Sequence, residues 1–204
     1  FALVILVRYQ AVGHRVALQM VKGMVAVAQV LHLFRVVYTC AGMLSTHWNT
    51  SALDRLVDSG KVKSVGVSNF RPWDIDLLQS RMKNKLVTNQ IEISLTENSA
   101  LTNGDLAYLQ QHRIAPMAWS PLAGGSLFGG SALGLKLVEM AERFSVDSAA
   151  LAIAWLLRHP AKIMPILGSN NIQRIEGFSQ ALEVELDRQS WFELFEAANG
   201  GEVA

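Results

Sequence analysis

From residue 51 onward, short β-branched apolar runs alternate four times with amphipathic helical stretches. No other feature restricts the fold as much. Strands separated by helices pair in parallel and need apolar cover on both faces of their sheet. The first run lies in residues 61–70 (KVKSVGVSNF), between a Ser59-Gly60 stop and Pro72. Val62, Val65 and Val67, closed by the turn residues Ser68 and Asn69, predict a buried strand there. Residues 86–94 (LVTNQIEIS), 114–120 (IAPMAWS) and 162–167 (KIMPIL) predict three more.

The stretches between carry helix signals. Leu53, Leu56 and Val57 fall at helical spacing in residues 51–58. Pro72 suits a first helical turn, where its missing N–H costs nothing, and Asp74 and Asp76 favour the same end electrostatically. Leu77 and Leu78 are expected to supply that helix's buried stripe. Asn103-Gly104-Asp105 opens a helix with Leu106 and Leu109 inward, and residues 121–130 form a loop holding four glycines. A helix through Leu137, Met140 and Ala141 follows. Residues 148–158 are apolar almost all round, which predicts full burial. Pro160 ends that helix, another runs from Ile172 to about Leu182, and Asp187 caps a last one bearing Trp191, Leu194 and Phe195.

Charge and composition exclude several classes. The chain has 204 residues with 18 basic and 17 acidic side chains, so no basic surface points to nucleic acid. One cysteine, Cys40, excludes an internal disulfide, and the five histidines lack metal-ligand spacing. No apolar stretch reaches the roughly 18 residues of a membrane span, and residues 1–7 lack the basic start of a secretory signal. A cytoplasmic protein is expected.

Residues 1–50 differ in kind from residues 51–204. All 17 acidic residues lie between Asp54 and Glu202, and the first fifty positions carry only Arg8, Arg15, Lys22 and Arg35 as Lys or Arg. Surfaces normally mix both signs of charge. This segment reads as a hydrophobic strand-and-helix pair, a basic amphipathic segment, or a stretch out of frame with the rest; the third is favoured.

Each strand end offers polar groups: Ser68-Asn69, then Asn89-Gln90 with Glu92, then Trp119-Ser120, then Gly168-Ser169-Asn170. Amides and hydroxyls at one face suit a neutral polar ring that bears a carboxamide, such as nicotinamide, and an indole can stack on the ring's flat side. The Gly-Ser-Asn-Asn loop before a helix presents backbone N–H groups to an anion, and Arg174 adds a guanidinium. Against this, Ser68 and Asn69 also suit a plain turn, Trp119 a core filler, and Gln90 a partner for neighbouring backbone. Glu92 is expected to pair with a base.

The phrases SGKVKSVGVSNF, VTNQIEIS, MAWSPL and PILGSNNIQRI, in this order and spacing, resemble the aldo-keto reductase family over residues 51–201. The resemblance implies a (β/α)8 barrel of which this chain holds the C-terminal half, four β/α units plus a terminal helix. It implies an NADP(H)-dependent oxidoreductase reducing aldehydes or ketones by hydride transfer. Ser68, Asn69 and Gln90 would hold the carboxamide and Trp119 would stack on the nicotinamide. Ser120 and Leu122 would line the pyrophosphate path, and Gly168, Ser169, Asn170 and Arg174 the adenosine-phosphate end. Gly168 stands where members of the family commonly carry lysine, which leaves NAD(H) open as a cofactor. Gly177 and Phe178 replace a common Glu-Asn pair near the adenine. The family's catalytic Asp, Tyr, Lys and His come from the first half of its barrel. Tyr9, Lys22 and His47 occur in that order here, but no acidic residue precedes them, so no catalytic residue is assigned. A non-catalytic nucleotide-binding module and an inactive truncated fragment are the competing readings. A half barrel leaves residues 63–67 and 163–167 as open sheet edges, and self-association through them is expected.

Overall fold

The computed structural model describes residues 4–5, 36–40, 46–169 and 171–201. Six strands form one parallel sheet: β1 (Val4–Ile5), β2 (Val36–Cys40), β3 (Ser64–Ser68), β4 (Leu86–Glu92), β5 (Ala115–Trp119) and β6 (Met164–Leu167). Their order is β1-β6-β5-β4-β3-β2. Strands β3 to β6 are the four that the apolar runs predict, each slightly shorter than its run.

The helices are α1 (Thr46–Asp58), α2 (Pro72–Gln79), α3 (Asp105–His112), α4 (Ala132–Arg143), α5 (Ser148–Arg158), α6 (Ile172–Phe178) and α7 (Arg188–Asn199). Local chemistry sets their starts. The Asp74 carboxylate accepts from the Arg71 N–H at 3.3 Å, the Ser131 hydroxyl from Gly134 at 3.1 Å, and the Asp187 carboxylate from the Ser190 N–H at 2.8 Å. As its composition predicts, α5 is buried from Ala149 to Leu156.

Three expectations are corrected. The two proposed open edges lie inside the sheet: β2 pairs with β3 from Val36 opposite Ser64 to Cys40 opposite Ser68, and β1 pairs with β6 at Val4 opposite Ile166. Unpaired strand groups take whichever extended, β-branched segment is in reach, and the first fifty residues supply two. The buried stripe of α2 is Ile75 and Leu78, whereas Leu77 is 46% exposed beside Trp73 on the outer face. Leu77 lies about 100° round the helix from Leu78, so only one of the two can face the core. Finally, α6 stops at Phe178 and continues as a 3₁₀ turn over Ser179–Leu182. Gly177 in its last turn weakens the helix there.

Helices α5 and α7 are locked by two tryptophans. The Trp155 and Trp191 rings stack at 4.9 Å, 9° from parallel. Each indole N–H donates to the other residue's backbone carbonyl, at 3.1 Å from Trp155 and 2.9 Å from Trp191. Among the described residues, no helix is long and apolar enough to cross a membrane.

His159, just past α5, accepts the Ala161 N–H on Nδ1 at 3.1 Å, and burial holds its pKa below the usual 6.5. The folded chain therefore keeps the ring neutral while the unfolded chain protonates it first. Stability is expected to be full above the unfolded value and to fall as pH drops from about 6.5 towards the depressed folded value. Thermal melts of the wild type and His159→Gln across this range check it, with the pH-dependent loss smaller in the variant. Asp54 and Asp187, whose hydrogen bonds hold their pKa below 3.8, act only in more acid solution.

Candidate functional site

Register brings the polar strand ends level. Ser68 stands opposite Gln90, and Glu92 opposite Trp119. The Gln90 carbonyl accepts both the Ser68 hydroxyl at 3.1 Å and the Asn69 N–H at 2.9 Å. The Asn89 side chain takes hold of the next residue at two points. Its Oδ1 accepts the Phe70 N–H at 3.4 Å and its Nδ2 donates to the Phe70 carbonyl at 2.8 Å.

Between these ties Asn69 adopts φ +57°, a left-handed conformation. Most L-residues pay roughly 1–2 kcal/mol there, and Asn is among the few that visit it readily. Its Oδ1 accepts the Trp119 indole N–H at 3.0 Å. Indole nitrogen only donates, so the oxygen of the Asn69 amide must face Trp119 and its NH₂ must face elsewhere. Gln90 is half-buried, and its side chain has no partner among the described residues.

Ser120 follows β5 in the same left-handed region, at φ +49°, and its carbonyl accepts the Ala123 N–H at 2.8 Å. Leu122 packs its side chain against the core. The following loop turns through Gly124 and Gly125, both at positive φ, and α4 closes on it. Gly134 allows that approach, since a Cβ there would lie 2.1 Å from the Gly129 carbonyl oxygen.

A cleft of about 240 Å³ opens beside Asn69 and Trp119, with Arg71, Glu92, Glu97 and Asp105 in its wall. The expectation that Glu92 pairs with a base is corrected. Among the described residues it makes no ion pair, and burial together with the nearby Glu97 charge raises its pKa above the usual carboxylate value. The base in this cleft, Arg71, bonds Asp105 instead at 3.2 Å. Among the described residues no cluster of metal-ligating side chains occurs.

At the end of β6, Gly168 is exposed and Ser169 half-buried, while Asn170 lies outside the described residues. The loop does not leave all its N–H groups free. Ser169 Oγ accepts the Asn171 N–H at 3.2 Å, and Asn171 Oδ1 caps α6 through the Arg174 N–H at 3.2 Å. The Arg174 side chain is exposed and makes no ion pair among the described residues. Tyr9 and Lys22 lie outside the described residues, as does the side chain of His47.

Three residues in and around the site were not singled out for these parts from the sequence: Asn89 as a tie, Glu97 beside Glu92, and Asn171 as a cap. A signal existed for Asn89. It is a polar residue inside a buried strand, and buried amides require partners.

A parallel sheet wrapped by helices, with amides, hydroxyls and an indole gathered at the carboxyl ends of its strands, defines the α/β-barrel class. Within it, the chain belongs to the aldo/keto reductase family, whose sequence profile matches residues 37–199. It is 63% identical over 155 residues to 6-dehydroglucose reductase of Agrobacterium fabrum, covering 75% of this chain and 52% of that protein. It is 42% identical over 156 residues to Oxidoreductase YdhF of Escherichia coli, covering 74% and 52% respectively. The chain thus spans about half the length of the curated relatives it matches. A Klebsiella pneumoniae aldo-keto reductase crystallised in complex with NADPH superposes with a TM-score of 0.69 at 25% identity, over 86% of this chain and 63% of that one. The thermostable aldo-keto reductase Tm1743 gives a TM-score of 0.72 at 19% identity, over 87% and 65%. The fold is a partial (β/α)8 barrel.

Proposed function

We propose that this chain is the cofactor-holding portion of an NADP(H)-dependent carbonyl reductase. One observation carries the reading: the Ser68, Asn69, Gln90 and Trp119 groups meet at adjacent strand ends with complementary hydrogen-bonding capacity left over. A carboxamide offers one acceptor oxygen and an NH₂ donor. The Asn69 NH₂ fits the first and the Gln90 amide oxygen, without a partner among the described residues, the second. Trp119, held by its indole N–H and half-buried, presents a ring for stacking. When bound, a reduced nicotinamide supplies hydride for a substrate carbonyl carbon. The chain's own residues hold and orient that ring and shield one side of it from water.

At the other end of the cofactor, Arg174 is the group for a phosphate, with Gly168 and Ser169 alongside. Gly168 supplies no ammonium, so NAD(H) remains an alternative cofactor. The substrate class we propose is a sugar carbonyl. The support is the 63% identity to a protein named 6-dehydroglucose reductase. A nucleotide-binding module without catalysis is the second reading.

Titration with NADPH, followed by the cofactor's own emission, tests the reading. Saturable binding is expected, and Arg174→Ala should weaken it about tenfold, as for loss of a hydrogen bond to a charged group. Arg81→Ala, also exposed, is the control. Arg158 is unsuitable for that purpose, because its Nε donates to the Leu186 carbonyl at 2.9 Å and ties α5 to the approach of α7. Equal affinities for Arg174→Ala and Arg81→Ala would place the phosphate elsewhere.

A further inference from the structure

Taking the cofactor reading above as given, we propose that Asn89 is a positioning residue for the nicotinamide site, acting through Phe70 on Asn69. Asn89 is 2% exposed and both ends of its amide are spent on Phe70. The side chain behaves as an extra strand partner for one residue of the loop. Phe70 is itself 2% exposed, so its ring is held by the core while its backbone is held by Asn89. On the other side, Ser68 and the Asn69 N–H are tied to the Gln90 carbonyl. Asn69 is therefore gripped at both neighbours and kept in the left-handed region. That conformation delivers its Oδ1 to the Trp119 indole, 50 positions away in sequence.

The Trp119 N–H in turn selects one of two amide orientations. With the oxygen committed to the indole, the Asn69 NH₂ is the group left for a ligand acceptor. Successive residues of a strand point to opposite faces, so Asn89 and Gln90 serve the site from two sides of β4. Gln90 offers its side chain to the ligand, and Asn89 holds the loop that offers Asn69. Releasing Phe70 removes one of the two ties that keep Asn69 in the left-handed region rather than in the commoner right-handed or extended ones.

The test uses the full chain and two readouts. In a ¹H–¹⁵N spectrum the Trp119 indole peak is identified by its loss in Trp119→Phe. Asn89→Ala is expected to move that peak in the same direction as Asn69→Ala, without cofactor present. With NADPH, each variant should raise Kd about tenfold, and the double variant should bind no more weakly than Asn69→Ala alone. Leu78→Ala, which opens the core at a residue 1% exposed, should lower the melting temperature and leave the peak in place. An unmoved peak in folded Asn89→Ala, losses that multiply in the double variant, or an equal displacement in Leu78→Ala would each overturn the proposal. Should Asn89→Ala not fold, Asn89→Asp keeps the acceptor for the Phe70 N–H but removes the donor to its carbonyl, and an unmoved peak there overturns it equally. If the wild type does not bind NADPH, the cofactor reading falls, while the indole peak still decides whether Asn89 positions Asn69.

Discussion

Trp155→Ala is expected to cost about 3–5 kcal/mol and to leave much of the chain unfolded at moderate temperature. Trp155 is 1% exposed and packs against Trp191 and Phe195, so truncation removes a large buried surface and opens a cavity between α5 and α7. It also removes the Trp155 indole N–H that donates to the Trp191 carbonyl across the helix pair. Trp191→Phe should cost far less, because it preserves stacking and loses only the indole N–H to the Trp155 carbonyl. Trp73→Ala serves as the surface comparison, since Trp73 is 68% exposed on α2. Thermal or urea melts followed by circular dichroism rank the three. A Trp155→Ala melt close to that of Trp73→Ala would show that the paired indoles contribute little to stability.

Turnover by the chain is expected to stay at background with saturating NADPH, whether aromatic aldehydes or sugar carbonyls are offered. Carbonyl reduction needs a proton for the oxygen as the carbon receives hydride, and a positioned general acid contributes roughly a hundred- to ten-thousand-fold. The residues gathered at the strand ends are mainly amides, hydroxyls and an indole, and none of them combines a tunable proton with a supporting base. Glu92, with its raised pKa, comes nearest, but its neighbour is another carboxylate, Glu97. Steady-state loss of NADPH absorbance with purified protein is the measurement. Robust reduction would overturn this expectation and make Tyr9 or Tyr38 the next residue to replace.

The order of the fold was legible in the residues because its signals are local. A β-branched run closed by Ser68-Asn69, a proline at the start of α2 and an aspartate at the start of α7 each act within a few positions. The full burial of α5 follows from its composition alone, since a helix with no polar face has nowhere else to go. The list of strand-end residues at the candidate site was legible for a related reason. In a parallel sheet every strand delivers its last residues to the same end, so knowing where the strands stop is enough to gather the groups.

Tertiary structure decided what depends on distant pairs. Whether β3 and β6 were edges turned on segments in the first fifty residues, where a strand-and-helix reading competed with two others and no consistent period or cap chose among them. Which leucine of α2 turned inward depended on the angle at which that helix met the sheet. The tie between Asn89 and Phe70 spans 19 positions and that between Trp119 and Asn69 spans 50. No periodicity or cap records such contacts, because a hydrogen bond between remote residues exists only once the sheet has set their register. Local sequence signals were enough to set the parallel α/β class and the groups available at the carboxyl ends of its strands. Only packing decided which of those groups hold one another in place and which remain for a ligand.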